Sequence, residues 1–128
     1  MEKHLFEEVS WQVFSCGNQN GALQSTATIK GLLGNREVMD AEEGEGPVDA
    51  LNKALLKVLR GVYPVADQII LVDYMTHIEN DNRGTAARVK VIVELQYGQE
   101  TYLAKGISAN ILEASWSALV DGYSKLLS

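Results

Sequence analysis

Few residues of this chain have the types and spacing that chemistry requires. Asp49, Asp73 and His77 are the side chains best suited to acid–base work, and an enzyme would need them to converge on one reacting centre. The other histidine, His4, stands far from them, and neither histidine sits in an HxH or HExxH pattern. The acidic run "DAEEGE" (Asp40 to Glu45) lacks EF-hand spacing, and acids before a helix start already have a structural use through the helix dipole. "GNQNG" and "GEG" lack the lysine of a phosphate-binding loop and the full dinucleotide fingerprint. Cys16 is the single cysteine, so no internal disulfide is available to it, and it reads as a half-buried small residue of a strand. An exposed, ordinary histidine is the plainer account of His77.

Two helix starts offer a different chemistry. "GPVDALNKALLKVL" (Gly46 to Leu59) and "GISANILEASWSALVDGY" (Gly106 to Tyr123) each follow strand-like sequence and open on glycine. Uncapped backbone N–H groups at a helix N-terminus attract a carboxylate without any basic side chain. A free amino acid brings such a carboxylate, together with an ammonium that Asp49 or backbone carbonyls could accept. Its side chain would need an apolar pocket, for which Val48, Leu71, Tyr74, Ile78 and Ile111 are available. The competing reading places all five in the core.

Composition narrows the partners. The 128 residues carry a net charge of -6, with eleven Lys and Arg scattered along the chain, so the basic patch that nucleic acid requires is missing. No apolar run approaches the roughly 20 residues of a membrane span, and the N-terminal "MEKHLFEEVSW" does not resemble a signal peptide. At 46% hydrophobic and 22% charged, the chain has the balance of one soluble domain, expected in a reducing cytoplasm. Another protein or a small molecule is the expected partner.

The elements that must position these residues follow from periodicity. Val9, Trp11 and Val13 alternate with polar residues in a first strand, and "GNQNG" turns the chain. "STATIKGLL" is a second strand with Ala27, Ile29 and Leu33 on one face; Gly34-Asn35 breaks it, and "REVMDAEE" is a third. A helix then carries Val48, Leu51, Leu55, Val58, Leu59 and Val62 at helical spacing, started by Pro47 and closed by Gly61 and Pro64. The order repeats: strands in "DQIILVDYMTHI", "TAARVKVIVELQYG" and "TYLAKGIS", then a helix capped by Ser108 with a stripe of Leu112, Trp116, Leu119, Val120, Tyr123 and Leu127. The halves align at an offset of 60 residues, placing Phe14 on Tyr74, Gly46 on Gly106, Leu51 on Ile111, Ala54 on Ala114 and Leu59 on Leu119.

The expected fold is therefore α+β, with two βββα units at roughly residues 5–62 and 65–127 related by an internal repeat. Sheet faces that no helix covers are expected to pair two chains into a symmetric homodimer.

"GPVDALNKAL", "LVDY", "GTAARVKV" and "GISANILEASWSALVDGY" resemble the C-terminal regulatory domain of the 2-isopropylmalate synthase and citramalate synthase family, the LeuA allosteric or dimerisation domain. The form of the last two motifs is closer to citramalate synthase-like members. The resemblance implies a dimer that binds leucine or isoleucine and so feedback-inhibits a separate catalytic (β/α)8 barrel in branched-chain amino-acid biosynthesis. That barrel condenses acetyl-CoA with a 2-oxo acid on a divalent metal, and neither its metal ligands nor its catalytic acids have counterparts here. The chain is then a regulatory domain, excised or separately encoded, needing no cofactor and catalysing nothing itself. Carried over by position, the effector site is Val48 and Asp49 after the first "GP", Leu71, Tyr74 and Ile78 in and after "LVDY", Thr85 at "GTAA", and Ala109 and Ile111 at the opening of the last helix. A purely structural dimerisation module without a ligand is the alternative.

Overall fold

A computed structural model describes residues 6, 8–17, 19, 23–79 and 87–127. In chain order the elements are β1 (Glu8–Gly17), β2 (Leu23–Leu33), β3 (Arg36–Gly44), α1 (Pro47–Val62), a short 3-10 helix (Pro64–Gln68), β4 (Ile69–Glu79), β5 (Arg88–Tyr97), β6 (Glu100–Ser108) and α2 (Ile111–Leu127). They fall into two compact units, Met1–Asp67 and Gln68–Ser128. Each is an antiparallel three-stranded sheet in sequential order with its following helix packed across it. Two βββα units are thus the observed architecture.

In the first unit the alternation of β2 decides which face is covered. Ala27, Ile29 and Leu33 are fully buried with Leu51, Ala54, Leu55 and Leu59 of α1; burying each large aliphatic side chain contributes about 1.5–3 kcal/mol. Gly34 (φ 56) and Asn35 (φ 72) form the two-residue β2–β3 turn, both in the left-handed region that a tight hairpin demands. Gly31 (φ 147) faces Val9, where a side chain would run into the β1 backbone. The helix continues one residue past Gly61 to Val62, and the Tyr63 N–H donates to the Leu59 carbonyl at 2.6 Å. Pro64 then opens the 3-10 helix, which apolar periodicity did not signal.

All of the acidic run but Glu45 lies in β3, and two of its acids have a further structural use. The Lys57 ammonium on α1 reaches Asp40 at 3.2 Å and Glu42 at 3.6 Å, tying the helix to the strand. The hydrogen bond that Lys57 donates to Asp40, then the charges of Asp40 and Glu42, hold the Lys57 pKa above its ordinary 10.5. Cys16 is exposed rather than half-buried.

The second unit meets its helix largely through small residues. Val91, Val93 and Leu95 of β5 are buried beneath Ala114, Ser115, Ala118, Leu119, Gly122 and Tyr123 of α2. A Cβ at Gly106 of β6 would strike the Ala114 carbonyl and lie 2.8 Å from the Ala118 nitrogen. Small residues therefore set the helix–sheet distance. Of the expected stripe, Leu119, Val120 and Tyr123 are buried, while Leu112, Trp116 and Leu127 are only partly covered. The N-cap is Asn110, not Ser108. Its side-chain oxygen accepts from the Leu112 and Glu113 N–H groups at 2.8 and 3.3 Å, and Ser108 Oγ accepts from the Asn110 N–H.

The repeat has a spacing of 64 residues, not 60, from the second strand of each unit onward. The hairpin pairs Leu33–Arg36 and Tyr97–Glu100, and the helix starts Pro47 and Ile111, are each that far apart. Gly46 thus corresponds to Asn110, Leu51 to Ser115, Ala54 to Ala118 and Leu59 to Tyr123. Trp11 sits opposite Ile29 and Tyr74 opposite Val93, so Trp11, and not Phe14, is the counterpart of Tyr74. A four-residue slip keeps strand parity and nearly keeps the helical face, which is why 60 looked consistent in sequence.

Candidate functional site

At the start of α1, Gly46 is the extended N-cap and Pro47 occupies the first turn. Glycine has no side chain to accept from this turn, and no other side chain caps it. Pro47 has no N–H, and Ala50 donates to the Gly46 carbonyl at 3.0 Å, so Val48 and Asp49 carry the open first-turn donors. The carboxylate of Asp49 is already engaged: it accepts from the Glu45 N–H at 3.0 Å and pairs with Lys53 Nζ at 3.1 Å. Close seating of this turn on β3 depends on Gly44, where a Cβ would strike the Ala50 nitrogen.

In the second unit a β-bulge organises the strand. The register of β4 against β5 shifts between Leu71 and Asp73. Strict alternation would put Leu71 and Tyr74 on opposite faces; the extra residue brings both onto the face of Val93 and Leu95, beneath α2. Ile78, opposite Val89, continues that face and is 76% exposed. Tyr74 is half-buried, and its hydroxyl lies 2.8 Å from Ser115 Oγ. Ser115 in turn donates to the Ile111 carbonyl at 2.7 Å. The proton of Ser115 is thereby spent, so the Tyr74 hydroxyl is the donor of the pair. Tyr74 and Ile111 are joined through a residue that sequence reasoning missed.

The remaining predicted positions are more peripheral. Ile111, at the first turn of α2, is 44% exposed, and Ala109 is exposed just before it. Thr85 lies outside the described residues. Asp73 and His77 are exposed on the opposite face of β4 from Tyr74, across from Glu94 and Lys90, and Asp49 belongs to the other unit. Among the described residues no group of three or more His, Cys, Asp or Glu could hold a metal ion, and no helix is long and apolar enough to cross a membrane. A groove of about 570 Å³ on the first unit is lined by Glu8, Lys30, Leu32 and Met39 among others, and includes none of the predicted site residues.

Ser115 could have been found from its position. It stands one helical turn after Ile111, amid the residues that face the sheet, where a hydroxyl needs a partner. Asn110 follows the usual N-cap preference as well as Ser108 does, and the two stand two residues apart.

Residues 2–127 match a family model described as the LeuA allosteric (dimerisation) domain. The chain is also similar to several (R)-citramalate synthases: 40% identical over 96 residues to that of Synechocystis sp., covering 75% of this chain and 18% of the relative. That of Aquifex aeolicus is 35% identical over 120 residues, 93% of this chain and 23% of the relative. That of Streptomyces coelicolor is 31% identical over 118 residues, 92% of this chain and 22% of the relative. The chain therefore spans about a fifth of the length of these enzymes.

Proposed function

We propose that this chain, which belongs to the LeuA allosteric (dimerisation) domain family, is the regulatory domain of a citramalate synthase-like enzyme. In this reading it forms a homodimer, binds free isoleucine or leucine, and through that binding restrains the catalytic barrel it serves. It contributes no catalytic group or cofactor of its own. The observation that carries the reading is the contrast between the helix starts. The first turn of α1 is left without a side-chain cap, with Val48 and Asp49 as its open donors, while α2 is closed by Asn110. An open helix N-terminus suits a carboxylate. In the second unit, Leu71, Tyr74 and Ile78 share one sheet face and suit an aliphatic side chain. Dimerisation is supported by apolar residues on the faces that no helix covers, including Phe14 and Met39 in the first unit and Met75 and Leu103 in the second.

Coupling to a barrel requires that the effector bind two states of the dimer differently, typically by about 1–3 kcal/mol. A purely structural dimerisation module is the second reading, and one observation favours it: the Asp49 carboxylate is satisfied within the chain. Thermal unfolding with isoleucine, leucine and valine separates the two. A ligand at a hundred times its dissociation constant adds about 2.7 kcal/mol of stability; no shift with any of the three leaves the structural module. Sedimentation velocity tests the dimer directly, and a monomer at all concentrations would remove it.

A further inference from the structure

Ser115 is fully buried in α2, and its hydroxyl links two residues of the proposed site. It donates to the Ile111 carbonyl one turn earlier and receives the hydroxyl proton of Tyr74 from β4. Both protons of this relay are consumed inside the chain. Tyr74 therefore presents its ring to a ligand, not a hydrogen-bond donor. In the first unit Trp11 stands at the place of Tyr74 and Leu51 at the place of Ser115, so the same hydroxyl pair cannot form there. The first unit folds without a hydroxyl on either residue at this point, so the hydroxyl pair is a feature of the second unit and not a requirement of the βββα fold.

We infer that Ser115 is a specificity-determining positioning residue, which pins the far end of the Tyr74 ring and makes it a fixed wall against the effector's branched side chain. The inference rests on the effector-binding reading above. Isoleucine and leucine are isomers that differ only in where the branch falls, so a wall held at one depth separates them and a swinging ring does not. Rotation of Tyr74 about its side-chain torsions is what the hydrogen bond prevents, since the backbone of β4 is already held by its ladder with β5. Ser115 acts through Tyr74 and need not touch the ligand.

The test is a double-mutant cycle on the 128-residue chain, titrated calorimetrically with isoleucine and with leucine. Ser115→Ala removes the acceptor and Tyr74→Phe removes the donor while keeping the ring. Each should move the ratio of isoleucine to leucine affinity by about threefold or more toward one, the scale of one hydrogen bond. Because both cut the same link, the double variant should match either single. A merely structural role for Ser115 would weaken both ligands equally and leave the ratio unchanged, and that result overturns the inference. So does a Ser115→Ala effect that persists undiminished in the Tyr74→Phe background. If the parent chain binds neither amino acid, the effector-binding reading falls and takes this inference with it. If the parent binds and the ratio stays fixed, only the role of Ser115 falls.

Discussion

The two βββα units share a plan and solve its local problems differently. In the first, Leu51, Leu55 and Leu59 meet Ile29 and Leu33, and Gly44 seats the first turn of α1 on β3. In the second, Gly106 makes room for Ala114 and Ala118, Gly122 for Leu95 and Ala104, and Tyr123 is the largest fully buried side chain. The first helix begins without a side-chain cap and the second begins capped. The first meets its neighbouring strand through Lys57 and two acids, the second through the Tyr74–Ser115 pair. A repeat keeps its burial pattern and turn positions because folding needs them. The positions it leaves free are where the units diverge, and the candidate site uses those positions.

The glycines test this contrast most severely. Gly106→Val should leave the second unit unfolded, because the new side chain meets α2 backbone that cannot move aside, whereas Gly46→Val should fold, since nothing lies within 4 Å of its Cβ position. Circular dichroism and urea unfolding of the two variants check this; a Gly106→Val chain as stable as Gly46→Val would show that β6 and α2 do not meet tightly at Gly106. Next come the counterparts Leu55 and Leu119, both fully buried: each mutation to Ala should cost about 2–5 kcal/mol in chemical unfolding. A negligible cost at either would break the assignment of equivalent core positions.

The helix starts sharpen the comparison at smaller scale. Asn110→Ala should cost about 1 kcal/mol of stability. Gly46→Asn should instead stabilise by a few tenths of a kcal/mol, at about the scale known for N-caps, while weakening isoleucine binding in calorimetry, because the new side chain occupies the open first-turn donors. If Gly46→Asn binds isoleucine as tightly as the parent, that helix end does not hold the carboxylate.

The smallest effect belongs to Lys57. Its pKa is raised in the folded chain, so its contribution to stability is fully present below about pH 10.5, its ordinary value. The contribution is lost as pH rises through the higher folded value. Lys57→Met should lower the melting temperature slightly at pH 7, less so in high salt, and the difference from the parent should shrink above pH 10.5. An unchanged difference across that range would show that the charge is not what the substitution removed.

Much of the fold was legible in the sequence because it is written in local signals. The strands alternate with period two, Gly34-Asn35 and Gly98 mark their turns, and Pro47 starts a helix whose apolar residues recur at helical spacing. The repeat was also legible, but its spacing was not. Ala54 and Ala114, or Leu59 and Leu119, match as well in type at 60 as their true partners do at 64, and beyond the first strand of each unit both spacings nearly preserve which face each residue occupies. Turn positions, which have no such period, settle the register. The candidate site was legible only in part: Val48, Asp49 and Tyr74 stood out, and Ser115 did not.

By itself the sequence determined two sheets, two helices and the faces they bury, because those depend on residues close together in the chain. Only tertiary structure decided that an extra residue in β4 turns Leu71 and Tyr74 to the same side, and that Ser115 meets a tyrosine forty-one positions away. A bulge reverses parity without changing composition, and a hydrogen bond between distant elements leaves no period to read. Those two facts, set by how strand and helix come to rest on each other, place the side chains on which the proposed specificity depends.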